Sequence, residues 1–181
     1  TYVKNAINHE LDRDGQVFFL YNRVETIYQF ASEIQKIVPD AKILRMDRDT
    51  TQSKEGHFKI LSEFAQHNAD ILVGTQMIAK GHDFPRVTLV GILDADMSLH
   101  FSDYRSGERT FQLLTQVVGR SGRGNKEGVG IIQTNHPDHY ALTYASKNDY
   151  EGFYNEEMQY RRIRKYPPYR YIVSLLFSGK D

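Results

Sequence analysis

The chain has 181 residues, of which 40% are apolar and 12% aromatic; this suits one folded domain with a hydrophobic core and excludes a disordered chain. Lysine plus arginine balances aspartate plus glutamate at 23 each, so the net charge neither indicates nor excludes a nucleic-acid partner. The absence of cysteine excludes disulfide bonds and thiolate-bound zinc.

Strands and helices are predicted to alternate along most of the chain. Short, continuously apolar runs predict buried strands at 16–21, 41–46, 71–74, 87–93 and 129–134. Apolar residues at helical spacing predict helices from Val24 to Val38, over 106–118, and around a face of Phe58, Leu61, Phe64 and Ala65. Strands of this kind are typical of a parallel α/β sheet with helices on both faces. Because ligands of such sheets bind at the carboxyl ends of the strands, we expect the chemistry in the loops that follow them.

The last stretch has a different pattern. Residues 149–165 predict one polar helix, which the sequence Tyr-Pro-Pro-Tyr at 166–169 ends, and residues 171–177 predict a strand. We therefore divide the chain into a lobe at 1–148 and, at 149–181, a C-terminal extension or the start of a further small domain.

Basic residues and tyrosines interleave in this last stretch. They are Arg161, Arg162, Arg164, Lys165 and Arg170, with Tyr160, Tyr166, Tyr169 and Tyr171. Such a cluster suits a nucleic-acid backbone with stacked bases. A helix packed on the lobe, with Glu156 and Glu157 pairing the arginines, fits equally well, and both interpretations stay open.

The strongest chemical pattern is Gln-Val-Val-Gly-Arg-Ser-Gly-Arg-Gly at 116–124. Its two arginines, Arg120 and Arg123, are three residues apart and would share one side of a helical turn. Arginine is a permanently charged planar fork that suits phosphate oxygens, and an arginine finger stabilises the charge that develops during phosphoryl transfer. Taken alone, the pattern fits a capped helix with solvated arginines about equally well.

A second pattern, Val-Gly-Thr-Gln-Met-Ile-Ala-Lys-Gly-His-Asp-Phe-Pro at 73–85, directly follows a predicted strand. In this order and about 40 residues apart, the two patterns resemble motifs V and VI of superfamily 2 DNA helicases. The resemblance implies the second of two RecA-like lobes, a three-layer parallel sheet that clamps ATP against a first lobe.

A finer resemblance, from about residue 41 to the end, is to the PriA family of primosomal helicases. It covers 45–51, 74–85, 93–96, 104–124 and 166–169. Residues 15–27 instead resemble motif IV of the transcription-repair coupling factor Mfd and of RecG. The PriA family has a cysteine-rich zinc-binding insertion in this lobe, which this sequence lacks, so we expect no zinc. A natural zinc-less relative and an edited sequence remain equally open.

The resemblance implies roles for individual residues. Arg123 would be the arginine finger, Arg120 a second γ-phosphate contact, and Gln116 the residue that orders the motif. Gly81 and Asp83 would lie near the ribose of the nucleotide and the neighbouring lobe. The residues expected to contact the DNA backbone are Asn22, Arg23, Arg48, Thr50, Thr75 and Gln76. Taken singly, Thr75 also suits a strand-end turn, Asp83 a loop carboxylate and Asn22 a helix N-cap.

The sequence contains neither a Gly-x-x-x-x-Gly-Lys-Ser/Thr phosphate loop nor an Asp-Glu-x-His motif. ATP and Mg²⁺ would therefore be shared with the first lobe, and we expect this chain alone not to hydrolyse ATP. The expected partners are that lobe, branched or single-stranded DNA, and replication-restart proteins. Two alternatives remain: an Mfd-like double-stranded DNA translocase in DNA repair, and a non-catalytic DNA-binding or protein-binding module.

Four histidines, His82, His100, His136 and His139, and the pair Asp94 and Asp96 were weighed as metal ligands. No third ligand stands at a suitable spacing, and the two aspartates lie in the wrong half of the motor for a magnesium site, so we expect no metal here and a structural role for the aspartates. No apolar run is long enough to span a membrane and no signal-peptide pattern is present, so we expect a cytoplasmic piece of a longer protein, with no membrane partner.

Overall fold

The computed structural model describes residues 2–47, 54–75, 84–100, 103–119, 128–173, 175, 177 and 179, with the backbone only at 54 and 55. Its strands are β1 (Gln16–Tyr21), β2 (Ile43–Met46), β3 (Ile71–Gly74), β4 (Val87–Leu93) and β5 (Val129–Ile132). They form one sheet in the order β2-β3-β1-β4-β5, in which each neighbouring pair is parallel. The predicted α/β class with a RecA-like parallel sheet is confirmed.

Helices precede, connect and follow these strands. They are α1 (Tyr2–Asp12), α2 (Ile27–Ile37) after a 3-10 turn at Val24–Thr26, α3 (Lys54–Ala65), α4 (Asp96–Leu99), α5 (Ser106–Val118), α6 (Tyr140–Ser146) and α7 (Tyr150–Arg164). Sequence patterns predicted α2, α3, α5 and α7 but missed α1, α4 and α6. The missed helices are short or mostly polar, so their apolar residues form no clear helical stripe.

The strands bury both of their faces, as their continuous apolarity requires. On one face Val17, Phe19, Ile71, Val73 and Leu89 pack against Ile7 of α1 and Ile27 and Ile34 of α2. On the other face Phe18, Leu20, Leu72, Val90 and Ile92 pack against apolar residues of α3, α5, α6 and α7. Successive residues of β1 thus alternate between two core layers, which gives the three-layer arrangement.

Two sequence expectations differ from the structure. Phe58 of α3 is 73% exposed, because the core beneath that helix begins at Ile60 and Leu61. The strand expected at 171–177 does not form in the described residues 171–173, 175 and 177, where Tyr171 and Phe177 are largely exposed. A strand needs a neighbour for its backbone hydrogen bonds, and no described segment pairs with this one.

None of the helices in the described ranges combines the length and the apolarity that crossing a membrane requires.

Candidate functional site

Three strands of the sheet end side by side. Gly74 of β3 lies level with Leu20 of β1 on one side and with Met46 of β2 on the other. The next residues along these strands therefore bring Asn22, Asp47 and Thr75 to one carboxyl edge. The structure thus brings together Asn22, Arg23 and Thr75, which sequence analysis placed on the DNA backbone. The other three residues expected there, Arg48, Thr50 and Gln76, lie outside the described residues.

Arg23 forms an ion pair across this edge. Its Nε lies 2.5 Å from Oδ2 of Asp94, the residue that follows β4. Gln133, just beyond β5, accepts a hydrogen bond from the backbone amide of Asp94 at 2.7 Å. The side chain of Arg23 remains 53% exposed. A cation at the sheet edge is therefore already paired with a carboxylate, at a position that solvent reaches.

The alternative role considered for Asn22, a helix N-cap, is not observed. Arg23 occupies the N-cap position of the 3-10 turn and Thr26 that of α2, and neither side chain makes a capping hydrogen bond. The hydroxyl of Thr26 instead lies 2.8 Å from that of Tyr21. Asn22 is half-buried and positioned by the end of β1.

The chain enters the 48–51 loop through a buried carboxylate. Asp47 is 1% exposed, and its Oδ2 lies 2.7 Å from Nε of Arg45. The guanidinium of Arg45 also lies 5.2 Å from the centre of the Tyr28 ring. These contacts hold the first residue after β2 in place, although Arg48 and Thr50 themselves are not described.

Asp96 makes the contacts of a structural carboxylate. It is 3% exposed and accepts hydrogen bonds from the Thr134 hydroxyl at 2.6 Å and the Asn135 amide at 2.7 Å, while a ring nitrogen of His136 lies 3.2 Å away. Burial alone would raise the pKa of Asp96, but these hydrogen bonds and the charge of His136 outweigh it and lower the pKa to about 2. The carboxylate thereby ties α4 to the loop after β5.

The described residues next to the nucleotide candidates lie towards the opposite, amino edge of the sheet. α5 begins near the carboxyl end of β4 and runs back, so that Val118 packs on Gly130 at the start of β5; a Cβ added at Gly130 would lie 3.0 Å from Cγ1 of Val118. Phe84 precedes β4, the strand that neighbours β5. Gly119 and Phe84, which are next in sequence to the segments 120–127 and 76–83, therefore lie towards the amino edge.

The helix before β5 runs antiparallel to the strands and ends at the amino edge. Gly119 therefore lies away from the carboxyl ends of the strands, where the sequence led us to expect the chemistry. The residues expected to contact the nucleotide, Gly81, Asp83, Arg120 and Arg123, all lie outside the described residues. Gln116 is described and sits on the exposed side of α5, opposite Leu114 and Val117.

A charged network holds α7 on the lobe; sequence analysis offered its Glu157–arginine pairing as one of two interpretations but missed the contacts with Tyr140 and Glu108. Arg161 donates to Glu157 on its own helix and to Glu108 on α5, each at 2.7 Å. The Tyr140 hydroxyl donates to Glu157 at 2.5 Å, and burial, reinforced by this carboxylate, raises the pKa of Tyr140. The spacing of four between Glu157 and Arg161 was the available signal. Arg161 thus packs on the lobe, whereas Arg162 is exposed.

Two of the histidines considered as metal ligands, His136 and His139, have structural contacts. The Nδ1 of His139 accepts a hydrogen bond from the Ala141 amide at the start of α6, and burial, together with the charge of His136, lowers the pKa of His139 and favours this neutral form. Within the parts of the chain that the structure describes, no three His, Cys, Asp or Glu side chains are arranged to bind a metal ion. His82 lies outside those parts.

The helicase conserved C-terminal domain family matches residues 2–125. Replication restart protein PriA of Bacillus subtilis (strain 168) is 54% identical over 149 residues, which cover 82% of this chain and 18% of that protein. RecG bound to a three-way DNA junction has a TM-score of 0.62 and 26% identity, covering 87% of this chain and 20% of that one. The C-terminal domain of the DEAD-box protein Dbp5, at a TM-score of 0.51 and 18% identity, shares the fold over 82% of this chain and 79% of its own. The chain spans about a fifth of the length of the PriA relatives it matches.

Proposed function

We propose, from the premise that this chain belongs to the helicase conserved C-terminal domain family, that it is the second motor lobe of a PriA-type, ATP-dependent DNA helicase in replication restart. The observation that carries the proposal is the separation of two functional edges. The candidates for DNA contact collect at the carboxyl edge, and the residues flanking the nucleotide candidates lie at the amino edge. A motor lobe needs separate sites of this kind, because it must couple ATP binding and hydrolysis at one site to contacts with the DNA backbone at another.

The carboxyl edge suits a grip without sequence preference. Thr75, Asn22 and Arg23 offer a hydroxyl, an amide and a guanidinium, which are the groups that contact phosphate oxygens rather than base edges. A translocating lobe requires contacts of this kind, because it must hold every step of the strand equally well. RecG, the structural relative seen with a three-way junction, supports branched DNA as one form of the track.

The amino edge would complete an ATP site whose other half is elsewhere. Arg123 would contact the transferred phosphoryl group as an arginine finger, Arg120 would bind the γ-phosphate, and Gly81 and Asp83 would lie near the ribose. Gln116, one turn before Arg120, would order this segment. ATP, when bound with Mg²⁺, would supply the phosphoryl group that is transferred. Binding of ATP and of Mg²⁺ would depend on a phosphate loop, which this sequence lacks.

The test is DNA-stimulated ATPase activity of the chain alone and mixed with a first lobe purified from a PriA-type helicase. We expect activity only in the mixture. Arg123→Ala should lower kcat about a thousandfold or more, the usual effect of losing an arginine finger. Lys36→Ala, which removes an exposed cation of α2 that has no proposed role, is the control and should leave kcat unchanged.

ATP hydrolysis by the chain alone would overturn the half-site proposal. DNA binding without ATPase activity in a mixture whose lobes demonstrably associate would favour the non-catalytic binding module. The cytoplasmic location and the replication-restart partners remain part of the proposal, and co-purification of the tagged chain with such partners from a bacterial lysate would test them.

A further inference from the structure

A cleft of about 460 Å³ lies where α5 and α6 begin and α7 ends. Its lining includes Tyr104, Tyr140, Tyr160 and Tyr166, and we call it the tyrosine cleft. α5 comes after the carboxyl end of β4, and α6 after that of β5. The tyrosine cleft therefore lies towards the carboxyl ends of the strands, as Asn22 and Thr75 do.

The tyrosine rings lie too close together for a base to insert between two of them. The ring centres of Tyr104 and Tyr166 are 5.8 Å apart, and those of Tyr160 and Tyr166 are 6.1 Å apart. A flat base held between two rings needs about 7 Å, twice the stacking distance of bases in DNA. One base would therefore stack on a single ring face, and Tyr160, which is 40% exposed, is the most accessible ring.

Buried contacts hold the walls of the cleft in place. The guanidinium of Arg161 lies 5.2 Å from the centre of the Tyr104 ring while its nitrogens bond Glu108 and Glu157. The backbone carbonyl of Arg161 accepts a hydrogen bond from the Tyr166 amide at 2.8 Å. Because these contacts exist before any ligand binds, little side-chain freedom remains to be lost on binding.

Cations flank the rings. Arg105 lies 5.4 Å from the centre of the Tyr104 ring, and Arg164 lies 5.6 Å from that of the Tyr160 ring. The carboxylate of Asp103 is balanced by ion pairs to Arg105 at 3.3 Å and to Arg109 at 2.8 Å. Aromatic faces beside exposed guanidinium groups suit a stacked base with its phosphates nearby.

We propose that the tyrosine cleft binds one unpaired nucleobase of the DNA strand whose phosphates lie along the carboxyl edge. This deepens the proposed function and rests on it for DNA as the ligand. The stacked base would hold the strand between motor steps, and its binding would not depend on sequence, because every base has an aromatic face. The different exposure of two arginines of α7 fits this role. Arg161 is partly buried in the wall of the cleft, whereas Arg164 is exposed and could contact the strand.

The test compares a 15-nucleotide thymidine strand with an abasic strand of the same length and charge, by fluorescence anisotropy at low ionic strength. The unsubstituted chain should bind the thymidine strand about tenfold more tightly, the scale of one stacked base. The double substitution Tyr160→Leu with Tyr166→Leu should abolish that preference and leave the salt dependence unchanged. Tyr154→Leu, an exposed tyrosine of α7 outside the cleft lining, is the matched control and should retain the preference.

Photocrosslinking tests the unsubstituted chain directly and does not depend on how the double variant folds. A strand carrying 5-iodouracil should crosslink to Tyr104, Tyr160 or Tyr166, as mapped by mass spectrometry. Crosslinks confined to other residues, or equal binding of the two strands, would overturn the cleft proposal while leaving the motor lobe standing. Failure to bind either strand, even at low salt, would overturn the DNA-contacting edge and the cleft with it.

Discussion

The ion pair between Arg23 and Asp94 lies at the carboxyl edge, where we propose that a DNA phosphate binds. Exposed ion pairs of this kind contribute little to stability, so an incoming phosphate can replace the carboxylate at small cost. In the proposed function, Asp94 would therefore compete with DNA for Arg23. The backbone of Asp94, at a φ of 51°, is held by Gln133, which keeps the carboxylate aimed across the edge.

Replacing that carboxylate is expected to strengthen DNA binding. Asp94→Asn should lower the Kd for single-stranded DNA several-fold at low salt, and the gain should shrink as salt rises, because the freed guanidinium acts through its charge. Asp40→Asn removes an exposed charge beyond the other end of the strands and is the control. Equal gains from both substitutions, measured by anisotropy across a salt series, would show that net charge alone is responsible.

Asp96 gives a prediction about stability and pH. Its pKa falls from 3.8 to about 2 on folding, so the ionised carboxylate stabilises the folded state above pH 3.8, and this contribution is lost as pH falls towards 2. Asp96→Asn should lower the free energy of unfolding by about 2 kcal/mol at pH 7, because hydrogen bonds to a charged acceptor are lost. Urea unfolding at pH 7 and pH 3 measures the deficit, which should be smaller at pH 3.

The exposed Asp138→Asn serves as the control for Asp96, since it removes a nearby carboxylate that lies on the surface. A deficit of the same size at both pH values would mean that the stability comes from packing of the side chain and not from its charge.

At the scale of elements, α7 is held to the lobe by charge as well as by apolar contact. The side chains of Arg161 and Glu157 are 11% and 5% exposed, so removing one partner leaves the other buried without its counter-ion. We expect Arg161→Ala to lower the free energy of unfolding by about 3 kcal/mol. Arg162→Ala, at the next position but on the surface, should change it by less than about 0.5 kcal/mol.

Thermal and urea unfolding of the two variants decide between the two interpretations that the sequence left open for the basic cluster. A large loss for Arg161 alone would assign that residue to packing and leave Arg162, Arg164 and Lys165 for nucleic acid. Similar small losses for both would contradict the buried network.

At the scale of the whole molecule, α7 shares its core with the rest of the lobe. The Phe153 ring stacks on Phe111 of α5 with ring centres 4.1 Å apart, and both belong to the core on one face of the sheet. A division at residue 148, predicted from the change in sequence pattern, would cut through this contact. Whether residues 149–181 are a separate unit is a prediction that truncation of the chain can test.

Truncation after Asn148 is expected to lower the Tm by about 10 °C, because it opens a cavity beside Phe111 in a domain of this size. Truncation after Tyr169 is the control and should change the Tm little, since residues 170–173 are exposed. An unchanged Tm after the first truncation, by calorimetry, would establish 149–181 as an independent unit.

The strands of the sheet follow from the sequence because a strand buried on both faces has to be apolar throughout, and β1, β3 and β4 match their predicted ranges to the residue. The same local logic failed at 171–177, where an apolar stretch has the composition of a strand but no neighbour in the described residues. Composition determines which residues prefer an extended backbone, whereas a strand forms only where a second segment lies beside it and accepts its backbone hydrogen bonds.

By itself, the sequence determined the α/β class, the strand positions and the motif resemblance, because each depends on residues close together in the chain. Only the tertiary structure decided the strand order, which places Asn22, Asp47 and Thr75 on adjacent strand ends. It also decided that Arg161 meets Glu108, 53 residues away, and that the helix before β5 carries the chain to the opposite edge. These features depend on contacts between distant segments, which no local pattern of residues encodes.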